Sequence, residues 1–342
     1  MAARIDARLE AVVSAERARW ASFDADLAGP FDEIGRMVRS GGKRLRPAFC
    51  FWGFVGAGGD ADDDRVIDAG AALELMHAFA LFHDDVMDDS ASRRGASTTH
   101  TVYADEHRRA AWSGESRRFG EGIAILVGDL AFVLSDQLLL GAGVEVWALW
   151  NELRLELNAG QLLDLLGAVQ RERRLDKAER IARYKSGKYT IERPLHLGAL
   201  LAAPARGDEL LPGLSRYGLP LGDAFQMRDD VIGAFGNSAL TGKPVGDDLR
   251  EGKPTPLLAR AVAMSDDRQR RVLDRIGAPE MADADVAAAQ QVIVDTGALA
   301  ALEDVIERLA AEAVAALDRV DITVSARDGL TELAAFVAAR AV

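Results

Sequence analysis

Two clusters of aspartates interrupt long apolar, helix-periodic stretches of this chain, and they restrict what it can fold into. The first, Asp84-Asp85-Val86-Met87-Asp88-Asp89, directly follows Ala78-Phe79-Ala80-Leu81-Phe82-His83. The second, Asp229-Asp230, lies inside Ala224-Phe225-Gln226-Met227-Arg228-Asp229-Asp230-Val231-Ile232. Carboxylates avoid apolar surroundings unless something compensates their charge. Helices that carry such clusters must therefore border a cavity that takes up cations. On a helix, Asp84 and Asp88 share one face, and Asp85 and Asp89 share the adjacent one. No cysteine or histidine cluster accompanies them, so the expected cation is hard, oxygen-liking Mg²⁺, which commonly brings phosphate with it. The plain alternatives are a solvated helix end for the first cluster and surface carboxylates paired with Arg228 for the second. The apolar frame argues against both. Asp60, Asp62, Asp63 and Asp64 follow Gly58-Gly59 without such a frame and read as an exposed loop.

Apolar residues recur at helical spacing almost throughout, and alternating β-branched strand patterns are nearly absent. This predicts an all-α protein of ten or more helices, organised as one domain over residues 1–342. The stretch from Gly236 to Pro256 breaks the helical texture with glycines, prolines and charges. A long irregular segment in a compact domain is usually functional, which makes this one a candidate lid over the second cluster.

The net charge of −13 argues against nonspecific nucleic-acid binding. It leaves room for an anionic substrate, because local basic groups and bound metals can invert a site's field. The polar N-terminus lacks the apolar core of a signal peptide, and charges break the longest apolar runs, so stable membrane insertion is not expected. The single cysteine, Cys50, excludes a disulfide framework or a cysteine metal site and suits a reducing cytoplasm.

Basic groups supply the complement to the acids. Gly41-Gly42-Lys43-Arg44-Leu45-Arg46-Pro47 sets cations beside glycines whose backbone N–H groups can approach an anion. Arg93-Arg94 lies just beyond the first acidic cluster, Lys185 and Lys188 are flanked by Tyr184 and Tyr189, and Lys243 and Lys253 lie in the candidate lid. Together they describe two anion subsites, one with metals and one with basic side chains alone. The five histidines show no zinc spacing, and there is no nucleophile elbow. His77, two turns before Asp84, is within reach of a phosphate or else is a satisfied buried histidine.

These residues together resemble the trans-prenyl diphosphate synthases of the polyprenyl synthetase family, from Gly41 through Thr255. Gly41 to Pro47 matches G-G-K-R-x-R-P. Asp84, Asp85, Asp88, Arg93, Arg94 and Gly95 match the first aspartate-rich motif and its R-R-G. Gly160-Gln161-Leu162-Leu163-Asp164-Leu165 matches G-Q-x-x-D-L, and Lys185-Ser186 matches the K-T/S element. Phe225 to Asp230 matches F-Q-x-R-D-D, followed by G-K-P-x-G-x-D-L-x-x-G-K-x-T at Gly242 to Thr255. Two positions depart from the pattern. Gly233 stands where the second motif ordinarily has its last acid, and Ser97 stands in the proline position of R-R-G-x-P-T.

The resemblance implies a helical bundle of the isoprenoid-synthase type around a deep central cavity, a homodimer, and three Mg²⁺ per active site. Asp84, Asp85, Asp88, Asp229 and Asp230 would hold the metals and the allylic diphosphate. Arg93, Lys185, Gln226, Lys243 and Lys253 would contact the same substrate. Isopentenyl diphosphate would bind without metal at Gly42, Lys43, Arg46, His77 and Arg94, and Ser186 and Gln161 would join substrate binding. The growing chain would run along the first aspartate helix, where Phe79, about 7.5 Å deeper than Asp84 by helix rise, and the small Ala80 would set its limit. An aromatic five residues before an uninterrupted motif resembles the geranylgeranyl-forming type, with farnesyl or longer products as alternatives. A class I terpene cyclase would have no use for the basic group at Gly41 to Arg46. A silent partner subunit of a heteromeric synthase would be expected to have lost acids that this chain keeps.

Overall fold

The computed structural model describes residues 1–93, 95–236, 246–278 and 281–339. The expected all-α architecture is observed. The sole pairing of strands among the described residues is the two-residue hairpin β1 (Ser92–Arg93) and β2 (Ala96–Ser97). Contacts group the residues into two compact units, Met1–Phe51 with Asp60–Gly143, and Trp52–Gly59 with Val144–Val342.

In the first unit, α1 (Ala2–Ala21), α2 (Ala28–Arg39) and the start of α3 (Leu45–Gly56) precede the long α4 (Asp64–Met87), and α5 (Thr99–Arg109) and α6 (Ser116–Gln137) follow. Asp63 caps α4 by accepting from the Arg65 N–H, so part of the acidic loop read as plain surface starts a helix. α4 is apolar on nearly all sides, and Leu73, Leu75, Met76 and Phe82 are essentially inaccessible. A helix of this kind has to be buried, and α1, α2, α5 and α6 pack around it. By length and composition α4 could cross a membrane, against the expectation that charges break every such run. Two-thirds of that window, 67%, is buried inside the protein, as befits a core helix.

The second unit holds α7 (Val144–Val169), α8 (Leu175–Ala182), α9 (Arg193–Ala202) and α10 (Gly207–Phe235). After them come α11 (Asp247–Glu251), α12 (Pro256–Met264), α13 (Asp267–Leu273), α14 (Asp283–Asp295), α15 (Ala298–Ala316) and α16 (Val324–Ala338). Met227, Val231, Leu257, Ile293, Leu302 and Ile306 form the core between α10, α12, α14 and α15. The buried Tyr217 hydroxyl donates to the Leu330 carbonyl at 2.7 Å, tying α10 to α16. The candidate lid is partly regular. Its residues 237–245 lie outside the described ones, and Asp247–Glu251 form the short helix α11 between two left-handed glycines, Gly246 and Gly252.

Between α8 and α9 the chain winds as a π-helix over Arg183–Glu192. Such wider turns are uncommon and often mark functional positions. Close backbone approach holds this one. A Cβ on Gly160 of α7 would stand 2.3 Å from the Lys185 backbone nitrogen, and one on Gly222 of α10 would stand 2.7 Å from the Gly187 carbonyl oxygen. A buried ionic network lies beside it. Glu156 accepts from Arg193 Nε and Nη2, both at 2.7 Å, and pairs with Lys188. Burial alone would push the Glu156 carboxyl up, but Arg193 and Lys188 outweigh it and hold the group below the usual range.

Gly160→Ala tests the close approach. Alanine in a helix ordinarily gains about 1 kcal/mol over glycine. Here overpacking against the π-helical segment should reverse the sign and cost about 1–3 kcal/mol, read as a lower midpoint in urea or thermal unfolding.

Candidate active site

The first carboxylate group sits where α4 stops. The Ser90 N–H donates to the Asp85 carbonyl at 2.9 Å and the Asp89 N–H to the Val86 carbonyl at 3.4 Å, with Asp89 left-handed at φ 52°. This is a Schellman termination, with aspartate in the place glycine usually takes. It corrects the expectation that Asp89 continues a helical face with Asp85. Asp89 lies beyond the helix, is exposed, and approaches Arg117 at 3.7 Å. Asp84, Asp85 and Asp88 remain together at the negative end of the helix dipole.

The hairpin β1–β2 turns the chain back and brings Arg93 onto these acids. Arg93 Nε donates to Asp85 at 2.7 Å, and its Nη2 lies 2.6 Å from Asp85 and 3.4 Å from Asp84. Burial acts to lower the Arg93 pKa. The hydrogen bond to Asp85 and the charges of Asp85, Asp84 and Asp88 overcome that and raise it. Asp85 is 1% exposed, so the pair is a buried one. A cavity of about 250 Å³ opens beside it, lined by Arg36, Arg39, Ser40, Asp85, Arg93 and Thr98 among others. Motif reading missed Arg36 and Arg39. They belong to no acidic or glycine-rich pattern and arrive through the packing of α2.

The expected anion loop, Gly41-Gly42-Lys43-Arg44, leads into α3. Gly41 at φ 87° and Gly42 at φ 154° take conformations that side chains disfavour. Lys43 is exposed and Arg46, in the first turn of α3, is half-buried. Arg44 turns away to Asp6, Glu74 and the Val38 carbonyl, so it serves the fold. His77, Phe79 and Ala80 are half-buried along α4. The Phe79 ring packs on Phe132 of α6 and on His83, with centroids at 4.6 and 4.7 Å. Arg94 lies outside the described residues.

The second group is in the other unit, within the last two turns of α10. Asp229 is half-buried and Asp230 is 3% exposed. Gln226, one turn earlier, donates to Asp230 Oδ1 at 2.8 Å. Asp230 Oδ2 is buried with no hydrogen-bond partner among the described residues. Burial pushes the Asp230 carboxyl well up, and the nearby charges of Asp248, Asp229 and Asp164 push the same way against the Gln226 bond. Arg228 does not pair with these acids. It is buried and forks onto Glu303 at 2.5 and 2.6 Å, which removes the surface ion-pair reading.

Two lysines reach this region. The π-helical turn carries Lys185, whose Nζ lies 2.5 Å from Asp164. Ser186 follows it, half-buried, and Gln161 lies one turn before Asp164 on α7. Lys253 pairs with Glu251 at 2.5 Å and lies 3.9 Å from Asp248. Lys243 lies outside the described residues. Asp164 and Asp248 were inside the matched motifs but were not read as site residues, because their spacing to the clusters carries no signal until the chain folds.

The donors fit a hard divalent cation. They are carboxylate oxygens, and one of them, Asp230 Oδ2, is buried without a partner. Among the described residues no three acidic, histidine or cysteine side chains are already drawn together as a closed metal cage. Arg93 instead pairs with Asp85 and Asp84, and Lys185 pairs with Asp164.

Comparison with known proteins gives a consistent answer. The polyprenyl synthetase family profile matches residues 31–293. The geranylfarnesyl diphosphate synthase of Aeropyrum pernix is 35% identical over 274 residues, covering 77% of this chain and 79% of that protein. The geranylgeranyl diphosphate synthase of Mycobacterium tuberculosis is 37% identical over 226 residues, covering 64% of this chain and 59% of that one. The crystal structure of geranylgeranyl pyrophosphate synthase from Corynebacterium glutamicum, complexed with isoprenyl diphosphate and magnesium, superposes with a TM-score of 0.91 at 35% identity, covering 98% of each chain. With the carboxylates of α4 and α10 and their basic partners in place, the chain belongs to the polyprenyl synthetase family, as a prenyltransferase of the short-chain prenyl diphosphate synthase type.

Proposed function

We propose that this chain condenses isopentenyl diphosphate with an allylic diphosphate to make geranylgeranyl diphosphate, as one catalytic domain working in a homodimer. The observation that carries the reading is Asp230, buried at the end of α10 with one oxygen unpartnered and other carboxylates close by. A bound cation would compensate such a group, and the relative whose structure superposes here was solved with magnesium and an isoprenyl diphosphate.

In this reading Asp84, Asp85, Asp88, Asp229 and Asp230 hold three Mg²⁺ for the allylic diphosphate. Bound Mg²⁺ supplies neutralisation of the departing diphosphate charge. Arg93, Lys185, Lys243 and Lys253 add fixed positive charge at the diphosphate, and Gln226 orients Asp230. Gly42, Lys43, Arg46, His77 and Arg94 bind isopentenyl diphosphate without metal, with Ser186 and Gln161 completing the substrate contacts. The allylic C–O bond breaks, the homoallylic double bond attacks the resulting carbocation, and a proton is lost to the released diphosphate. No nucleophilic side chain is required, which agrees with the absence of such a motif.

Exposed apolar stripes support the homodimer. α6 presents Leu126 and Val133 on one of its faces, and α7 separately presents Leu155, Leu162, Leu166 and Val169 on one of its own. The buried, inert Cys50, its thiol pushed up to about 12 by burial, agrees with cytoplasmic residence. The relatives include enzymes named for C15, C20 and C25 products, a range that contains the C20 reading, and Phe79 on α4 supports it.

Two experiments test this. Purified protein with Mg²⁺, labelled isopentenyl diphosphate and each allylic starter should elongate to C20 and stop. Absence of elongation from every starter overturns the activity. Phe79→Ala opens the space beside Phe132 and should shift the longest product beyond C20 by one or more C5 units, while an unchanged product spectrum places the limit elsewhere.

A further inference from the structure

Glu156, Gly160 and Asp164 recur at four-residue spacing on the buried face of α7, and the π-helical segment is fastened to all three. Lys185 Nζ lies 2.5 Å from Asp164, the Lys185 backbone stands against Gly160, and Lys188 pairs with Glu156. The two ion pairs are two turns of α7 apart, about 12 Å by helix rise. The first belongs to the diphosphate site. The second has no part in that chemistry, yet it is the more heavily built.

Glu156 also takes the fork of Arg193, with both bonds at 2.7 Å. Beside it Glu192 accepts from Ser215 Oγ at 2.6 Å, and Lys188 Nζ lies 3.7 Å from Glu192 Oε2. Glu156, Glu192 and His196 are 7%, 3% and 2% exposed. Two carboxylates and two cations thus balance in a dry place, where removing one would leave a buried charge uncompensated. Ser215 and His196 complete the network without forming a nucleophile. Arg193 Nη1 can only donate, and it lies 3.4 Å from His196 Nδ1, so that ring nitrogen is the acceptor. Burial, helped by the charge of Arg193, lowers the His196 pKa to about 3 and keeps the ring neutral. Its hydrogen is therefore on Nε2, 3.1 Å from Ser215 Oγ, and an N–H cannot take the serine's proton.

A network without chemistry of its own still has a consequence for Lys185. The wide turn spaces its side chains differently from an α-turn. If the segment relaxed to an α-helix, Lys185 and Lys188 would swing relative to each other and could not both meet Asp164 and Glu156. We infer that Glu156 is a positioning residue for the transfer reaction: by holding Lys188 and Arg193 it fixes the register of the π-helical segment, and so the reach of Lys185 into the diphosphate site. The inference rests on the role proposed above for Lys185.

The test is turnover of the full chain with isopentenyl diphosphate, an allylic starter and Mg²⁺. Glu156→Gln keeps the shape and removes the charge, and kcat should fall roughly 10- to 100-fold, the scale of an ångström misplacement. Lys188→Met leaves the fork between Glu156 and Arg193 in place and should lower kcat at least about three-fold. It carries the test if Glu156→Gln does not fold. Each substitution is then repeated in the Lys185→Ala background. A residue that acts through Lys185 should cost no more than about two-fold in kcat there. A merely structural role lowers the folded fraction and would multiply the loss equally in both backgrounds, which overturns the inference. So does wild-type kcat in folded Glu156→Gln. If Lys185→Ala itself keeps wild-type kcat, the role of Lys185 at the diphosphate falls, and the inference with it.

Discussion

Repulsion among carboxylates held at the negative ends of helices is the constraint on which the rest of this structure depends. Asp84, Asp85 and Asp88 crowd the C-terminus of α4, and Asp229 and Asp230 lie in the last turns of α10. Unpaired, such groups would be costly to bury. Each unit carries a basic group among its acids: Arg93 on the β1–β2 hairpin pairs with Asp85 and Asp84 in one, and Lys185 on the π-helical turn pairs with Asp164 in the other. The acids stay ordered, and basic groups already stand beside them, as diphosphate binding requires.

Positioning those basic groups accounts for much of the unusual local structure. The hairpin exists where a Schellman stop leaves α4 and the chain must return. The π-helix keeps Lys185 in place because Gly160, Gly187 and Gly222 let three backbones touch. The network of Glu156, Lys188 and Arg193 anchors the same segment from beneath, as a satisfied set of buried charges. The acids and their basic partners thus sit on helix ends and one wide turn, while the long helices behind them carry the apolar core.

Much of this was legible from the chain, and the exceptions have physical causes. Helical periodicity points to the all-α fold, and the motifs point to Asp84, Asp85, Asp88, Asp229 and Asp230. Spacing rules assume that a helix continues, and so they misplaced Asp89, which falls after the left-handed stop. Charge alone could not separate Arg44, spent on Glu74 and Asp6, from Arg46 two residues later. The pairing of Arg228 with Asp229 and Asp230, already disfavoured by the apolar frame, gives way to a fork onto Glu303.

The sequence by itself determined the helical class, the family and the acids of both motifs, because periodicity, glycine-rich turns and clustered charge are local properties. Only the tertiary structure decided which cation meets which acid, how Lys185 is held, and that Asp248 comes up against Gly233. Those facts depend on chain segments far apart in sequence meeting at ångström distances. The gap at Gly233 shows the difference. Read along the chain it is a missing ligand. Seen in three dimensions it is a crowded position, where a Cβ would meet the Asp248 Oδ2 of a segment fifteen residues later at 1.9 Å.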